Sequence, residues 1–163
     1  MTYLRCLLLS LPLMALSCAA LAQSAPLAFG TIKADPTLPV EVTADTLNVD
    51  QTSGQAEFAG NVRVGQGEMR LSAETVMVVY KTEGKGIERL EALGNVVLVN
   101  GPDAAEAERA DYSIDSGLIV MTGNVLLTQG QNALTSDRLE VDLTLGTARM
   151  AGRVKSILQP EGD

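Results

Sequence analysis

Carboxylates are the side chains of this sequence with the most scope for chemistry, because the other common catalytic groups are missing. The 163 residues contain no histidine, and the two cysteines, Cys6 and Cys18, both lie within the first 22 positions. A Ser-His-Asp or Cys-His arrangement is therefore impossible, and so is a histidine-based zinc site. Asp45, Glu74 and Asp137 recur at matching places of a repeated segment, and such a row would offer oxygen ligands to a hard cation. Glu57 and Glu68 would offer an acid and a base. The spacing argues against both. The acids of the row stand on separate copies of the repeat, and paired acids on solvated strand faces are common. The apolar phase slips by one residue at Asp45-Thr46, from Val42 and Ala44 to Leu47 and Val49. A β-bulge or strand corner produces such a slip, and an aspartate there bonds nearby backbone N–H groups. The acids are thus expected to be structural, with no metal, no cofactor and no enzymatic activity.

The elements that carry these acids are short strands. Phe58 to Val79 reads FAGNVRVGQGEMRLSAETVMVV. Val62 and Val64 flank Arg63, and Met69, Leu71 and Ala73 flank Arg70 and Ser72, around the turn Gly65-Gln66-Gly67. This alternation predicts a half-buried antiparallel hairpin. The segment Ala44-Asp45-Thr46-Leu47-Asn48-Val49 recurs as Ala73 to Val78 and as Ser136 to Val141, with Ala110 to Asp115 as a shortened copy. A second signature follows each copy: Gly60-Asn61-Val62, Gly94-Asn95-Val96, Gly123-Asn124-Val125 and Gly152-Arg153-Val154, at steps of 34, 29 and 29 residues. Four copies predict a repeated strand pair that buries its apolar face against its neighbours. The Gly-Asn pairs suit a sharp entry to the next strand, since both residues tolerate positive φ. No helix follows them, so they are not phosphate loops, and Gly65-x-Gly67 is not a dinucleotide fingerprint. Ala104 to Ala110 has helical propensity but precedes a repeat copy, and is expected to be mostly strand with a loop.

The ends differ from the middle. Residues 1–22 hold one charge, Arg5, an apolar run from Cys6 to Leu16 interrupted by Pro12, and Ala20-Leu21-Ala22 before Gln23. That pattern predicts a secretory signal peptide cleaved before Gln23. The run is short for a membrane span, and Ala15 stands where a lipoprotein signal ending at Cys18 has leucine. Residues 23–39 carry three prolines and read as a flexible lead-in. The domain is expected over 40–160, with a tail at 161–163. The 141 residues after position 22 carry 11 basic and 20 acidic side chains, a net −9. That charge argues against nucleic acid as a partner. Beyond residue 22 the aromatics are Phe29, Phe58, Tyr80 and Tyr112, with no Trp, fewer than a sugar platform or single-strand groove uses. What abounds is aliphatic surface from Val40 to Leu158. Two such faces make a filled sandwich core if they touch, or a groove for acyl chains if they splay, and the pattern leaves both open.

The motif from Phe58 to Val78 resembles that of the lipopolysaccharide transport protein A (LptA) family, or OstA-like N-terminal domain. The matching residues are Phe58, Gly60, Asn61, Val62, Val64, Gln66, Gly67, Leu71, Ala73, Glu74, Val76 and Val78. A second block matches at Tyr112-Ser113-Ile114-Asp115 and Val120-Met121-Thr122-Gly123-Asn124, and the likeness spans about Pro39 to Pro160. The resemblance implies an all-β fold, an antiparallel jellyroll whose two sheets form a V-shaped trough. It implies a periplasmic carrier that bridges inner and outer membranes and holds the acyl chains of lipopolysaccharide in the trough. The ligand-facing positions it implies are Val40, Val42, Val99, Tyr112 and Ile114, whereas the repeat itself places Val96 and Leu98 inward. It also implies head-to-tail assembly through edge strands, at Val40 and Val42 and at Val154, Lys155 and Ile157. The partners would be further copies, an inner-membrane LptC-like subunit and an outer-membrane LptD-like subunit. Two other readings are an anchored LptC-like subunit and an adaptor sandwich that binds protein partners alone. The outer-membrane subunit itself is not expected, as no barrel sequence follows Asp163.

Overall fold

Alternation makes strands of nearly every residue placed by the computed structural model, which describes residues 27–28, 35, 37–83 and 85–158. The strands are β1 (Leu27–Ala28), β2 (Glu41–Thr43), β3 (Thr46–Asp50), β4 (Gln55–Gln66), β5 (Met69–Tyr80), β6 (Ile87–Asn100), β7 (Asp103–Ser113), β8 (Leu118–Gln129), β9 (Asn132–Asp142), β10 (Thr147–Ala151) and β11 (Lys155–Ile157). Hydrogen bonding runs antiparallel in the order β1-β10-β9-β8-β7-β6-β5-β4-β2, with β3 also on β4 and β11 also on β9. Among the described residues there is no helix.

Each long strand turns a corner near its middle. In β4 the register breaks between Ala59 and Val62, and the breaks in the following strands fall beside it, down to the gap between β10 and β11. The cause lies in the Gly-Asn signature. Gly94 and Asn95 both take positive φ, 79° and 45°, and the same pair of left-handed residues recurs in the other three copies. Two consecutive left-handed residues bend a strand sharply. The acid of the preceding strand then locks the bend. Nδ2 of Asn61 donates to Asp45 at 2.7 Å, Asn95 to Glu74 at 2.5 Å and Asn124 to Glu108 at 2.5 Å. In the last copy Arg153 replaces Asn and donates to Asp137 at 2.6 Å. The carboxylates lie over the glycines: a Cβ on Gly94 would sit 2.5 Å from Oε2 of Glu74. The acids are therefore structural, as their phase slip indicates, but their partner is an Asn or Arg side chain one strand away. Backbone N–H groups play a part at Asp45 and Asp137, which donate to the carbonyls of Gly60 and Gly152 at 2.9 Å.

The corners divide the molecule into two layers. The first holds β3, β10 and the adjoining halves of β4 to β9, for example 55–59 and 109–113; the second holds β2, β11 and the other halves, for example 62–66 and 103–107. The line of corners is the closed apex of a V, and the hairpin turns form its two lips. Inward residues beside the corners include small ones, Ala73, Ala107, Ala110 and Ser136, set against Phe58, Met121 and Leu139. Bulky ones fill the width beyond them, such as Leu71, Leu98, Leu127 and Leu90. The walls meet: Val96, Leu98, Ile119, Met121 and Leu127 have no exposed surface. Of the two arrangements that alternation permits, the described structure adopts the filled one.

Three expectations change. The third repeat copy is Ala107-Glu108-Arg109-Ala110-Asp111-Tyr112, three residues before the shortened copy at Ala110, because it is Glu108 that locks Gly123-Asn124. Ala104 to Ala110 is strand throughout, as β7 pairs on both sides and Ala105, Ala107 and Ala110 face a narrow interior. Leu27–Ala28, within the expected lead-in, pair with Ala148 and Thr147. The expected signal peptide at 1–22, Pro160 and the tail at 161–163 lie outside the described residues.

Candidate functional site

The inward side chains form rows that cross the strands. In the first layer one row runs in register from Val49 through Ala56, Val78, Leu90, Tyr112, Ile119 and Val141 to Ala148. A second runs from Leu47 through Phe58, Val76, Ala92, Ala110, Met121 and Leu139 to Met150. In the second layer a row runs from Val42 through Val64, Leu71, Leu98, Ala105 and Leu127 to Leu134 and Ser156. These rows carry no charge and extend from one edge of the molecule to the other. They break down at the β3 end, where Leu47 and Val49 are 53% and 61% exposed on the inward-facing side of an uncovered strand.

The lip of the second layer is different. Gln66, Asn100, Asp103, Gln129 and Asn132 end the strands there, each in phase with the inward row behind it. Gln66 and Asn100 are 1% exposed. Nε2 of Gln129 donates to Asp103 at 3.0 Å, and Nε2 of Gln66 donates to the Leu38 carbonyl at 2.9 Å. Tyr112, on the facing lip, donates its phenol proton to Oε1 of Gln66 across the mouth of the V. Burial pushes the Tyr112 phenol up to about 12. Sequence reasoning missed this polar lip. The signal was present, since counting outward by twos from Val96 or Val125 reaches Asn100 or Gln129.

Among the described residues no charged side chain other than Asp103 is buried. Arg109 Nη2 bridges Asp111 at 2.5 Å and Glu91 at 3.1 Å, and Glu91 also meets Arg89 at 2.8 Å. The hydrogen bond from Arg89 comes first in holding the Glu91 carboxyl below its usual range. Among the described residues no group of three or more acidic side chains is placed to hold a metal ion.

Four of the five positions implied for ligand contact face the interior. Val40, Val42 and Ile114 are half-buried against the core, and Tyr112 is buried. Val99 is the exception. The Gly94-Asn95 corner sets Val96 and Leu98 inward, so Val97 and Val99 point out, and Val99 is 36% exposed. It lines an outer groove of about 740 Å³ with Leu38, Arg63, Arg70 and Val97. At the edges, β2 carries Val42 and β11 carries Lys155 and Ile157, each pairing on one side with β4 and β9 respectively. Val154, Ile157 and Leu158 are exposed.

A solved structure shares this fold. The fold is similar to the crystal structure of LptH, the LptA-homologous periplasmic component of the conserved lipopolysaccharide transport device of Pseudomonas aeruginosa, with TM-score 0.69 and 20% identity over 78% of this chain and 99% of that one. The sequence is 29% identical over 110 residues to an uncharacterized protein of Rhizobium meliloti (strain 1021), covering 63% of this chain. The matched part spans 59% of that relative's length. Residues 41–147 match the family model described as LptA/(LptD N-terminal domain) LPS transport protein. That match takes in the first three locked corners, from Asp45 to Asn124, and most of the inward rows they align, so the chain belongs to the LptA/LptD N-terminal domain family of lipopolysaccharide transport proteins.

Proposed function

We propose that this protein is a periplasmic carrier and bridge that moves lipopolysaccharide from the inner to the outer membrane, with the acyl chains between its layers and the sugars in water. The observation that carries this reading is the set of uncharged, mainly aliphatic rows that cross the strands, from β3 to β10 in the first layer and from β2 towards β11 in the second. A hydrocarbon chain laid along them meets the same surface at every step, so it can advance without a large barrier. The filled interior sets the condition for loading: the layers part about the line of corners. Dispersion and burial lost between the walls are then recovered against the acyl chains. The acidic surface repels the phosphates of the ligand, so capture rests on its apolar part.

Assembly follows from the edges. Exposed Leu47 and Val49 at one end, and Ile157 and Leu158 at the other, would be covered by strand addition from a second copy. Such a head-to-tail contact continues the rows from copy to copy without closing on itself. The same edges suit an inner-membrane LptC-like and an outer-membrane LptD-like subunit. A photo-crosslinker at Val42 or Ile114 tests the carrier role: adducts with lipopolysaccharide are expected there and absent at outward Arg63. Adducts at Arg63 with none at the two inward sites would refute it.

A further inference from the structure

The mouth of the V is chemically asymmetric. The lip of the first layer is made by Val78, Leu90, Ile119 and Val141, with the Tyr112 phenol as its polar atom. The lip of the second layer carries Gln66, Asn100, Asp103, Gln129 and Asn132. Asn100 pairs with Asp103, Asp103 with Gln129 and Gln129 with Asn132, so four of these side chains stand on four adjacent strands. Neighbouring strands lie about 4.8 Å apart, which makes a rail of hydrogen-bonding groups about 14 Å long. Met69 interrupts the rail on β5, and Gln66 resumes it on β4.

Hairpin ends often carry polar residues, but these face inward and are buried or half-buried. Burying a polar group costs free energy unless it is hydrogen-bonded, and the other inward rows largely avoid that cost, with Tyr112, Ser136 and Ser156 as their polar members. In this structure members of the rail pair with one another and with Tyr112. When the layers part, the rail lies where hydrocarbon gives way to water. An acylated sugar places its ester and amide carbonyls and its hydroxyls at that depth. Asn and Gln suit them, since each amide both donates and accepts. The rail holds no cation and includes Asp103, so it does not suit phosphate.

We propose that this lip is the specificity element of the carrier: it reads the neutral acyl linkages and adjacent hydroxyls of the ligand, exchanging its internal hydrogen bonds for theirs as the chains slide past. The inference rests on the carrier reading above. Photo-crosslinking at Val42 is run with two probes, purified lipopolysaccharide and a plain fatty acid. The protein should capture both. The variant Asn100→Leu with Gln129→Leu should keep fatty-acid capture within about twofold and lose about tenfold in lipopolysaccharide affinity, the worth of one or two hydrogen bonds. Circular dichroism establishes that the variant is folded. Asn132→Leu, at a half-buried position, reads the same ratio if the double variant does not fold. Equal loss of both probes, or no loss of lipopolysaccharide, overturns the specificity role while leaving the carrier role standing. Capture of neither probe by the unaltered protein overturns the carrier reading, and the lip's role with it.

Discussion

The phenol of Tyr112 and the amide of Gln66, 46 residues apart in sequence, are hydrogen-bonded across the mouth of the V. Their strands, β7 and β4, are separated in the sheet by β6 and β5. The contact therefore ties lip to lip and holds the layers together on the side opposite the corners. Tyr112→Phe should destabilise the fold by about 1–2 kcal/mol, because Oε1 of Gln66 loses a buried donor. Urea denaturation measures the loss.

The same phenol gives a pH dependence with a definite sign. Its folded-state value is raised by burial from 10.0 to about 12. The folded protein then holds the proton where the unfolded chain releases it, so stability is full below about pH 10 and falls as pH rises towards about 12. Absorbance at 295 nm should show one tyrosine ionising together with unfolding, and Tyr112→Phe should remove that step.

The corners should be intolerant of a single methyl group. Gly94→Ala keeps a positive φ of 79° and sets Cβ 2.5 Å from Glu74. Strain and clash together should cost about 2–4 kcal/mol. Gly130→Ala, at a φ of 57° with nothing within 4 Å of its Cβ, should cost about 1–2 kcal/mol. Thermal melts of the two variants test the order, and equal losses would contradict the lock described for the corner.

Val42→Asp should abolish lipopolysaccharide capture, since it puts a charge into an uncharged row at its β2 end. Retained capture would show that the ligand does not use this face.

Leu47→Lys with Val49→Lys should shift self-assembly towards monomer in sedimentation velocity. Both positions are exposed, so stability should change by only about 0.5 kcal/mol. An unchanged sedimentation profile would place the assembly contact elsewhere.

Period-two alternation and the repeated Ala-acid and Gly-Asn steps made the strands, the corners and the four-unit plan legible in the sequence. A local pattern carries such features, because each unit's bend is made within two neighbouring strands. The third copy was harder to place, since Ala110-Asp111 imitates the Ala-acid step three residues after the true one at Ala107-Glu108. The outward direction of Val99 has a related reason. Two residues at a corner preserve the inward phase of β6, so Val96 and Leu98 keep the phase of Leu90 and Ala92, as the repeat itself indicates. The contact of Tyr112 with Gln66 was not legible at all, because it depends on how far the layers close, and no local pattern encodes that distance.

The acid locks of the corners have a consequence for growth of the molecule. Every unit sets its own bend, so the width between the layers is decided locally while the length of the inward rows depends on the number of units. Duplicating one hairpin would lengthen those rows by about two inter-strand spacings, roughly 9.6 Å, and leave the width unchanged. In the bridge proposed above, reach can thus grow by copying units or stacking chains, without redesigning the wall.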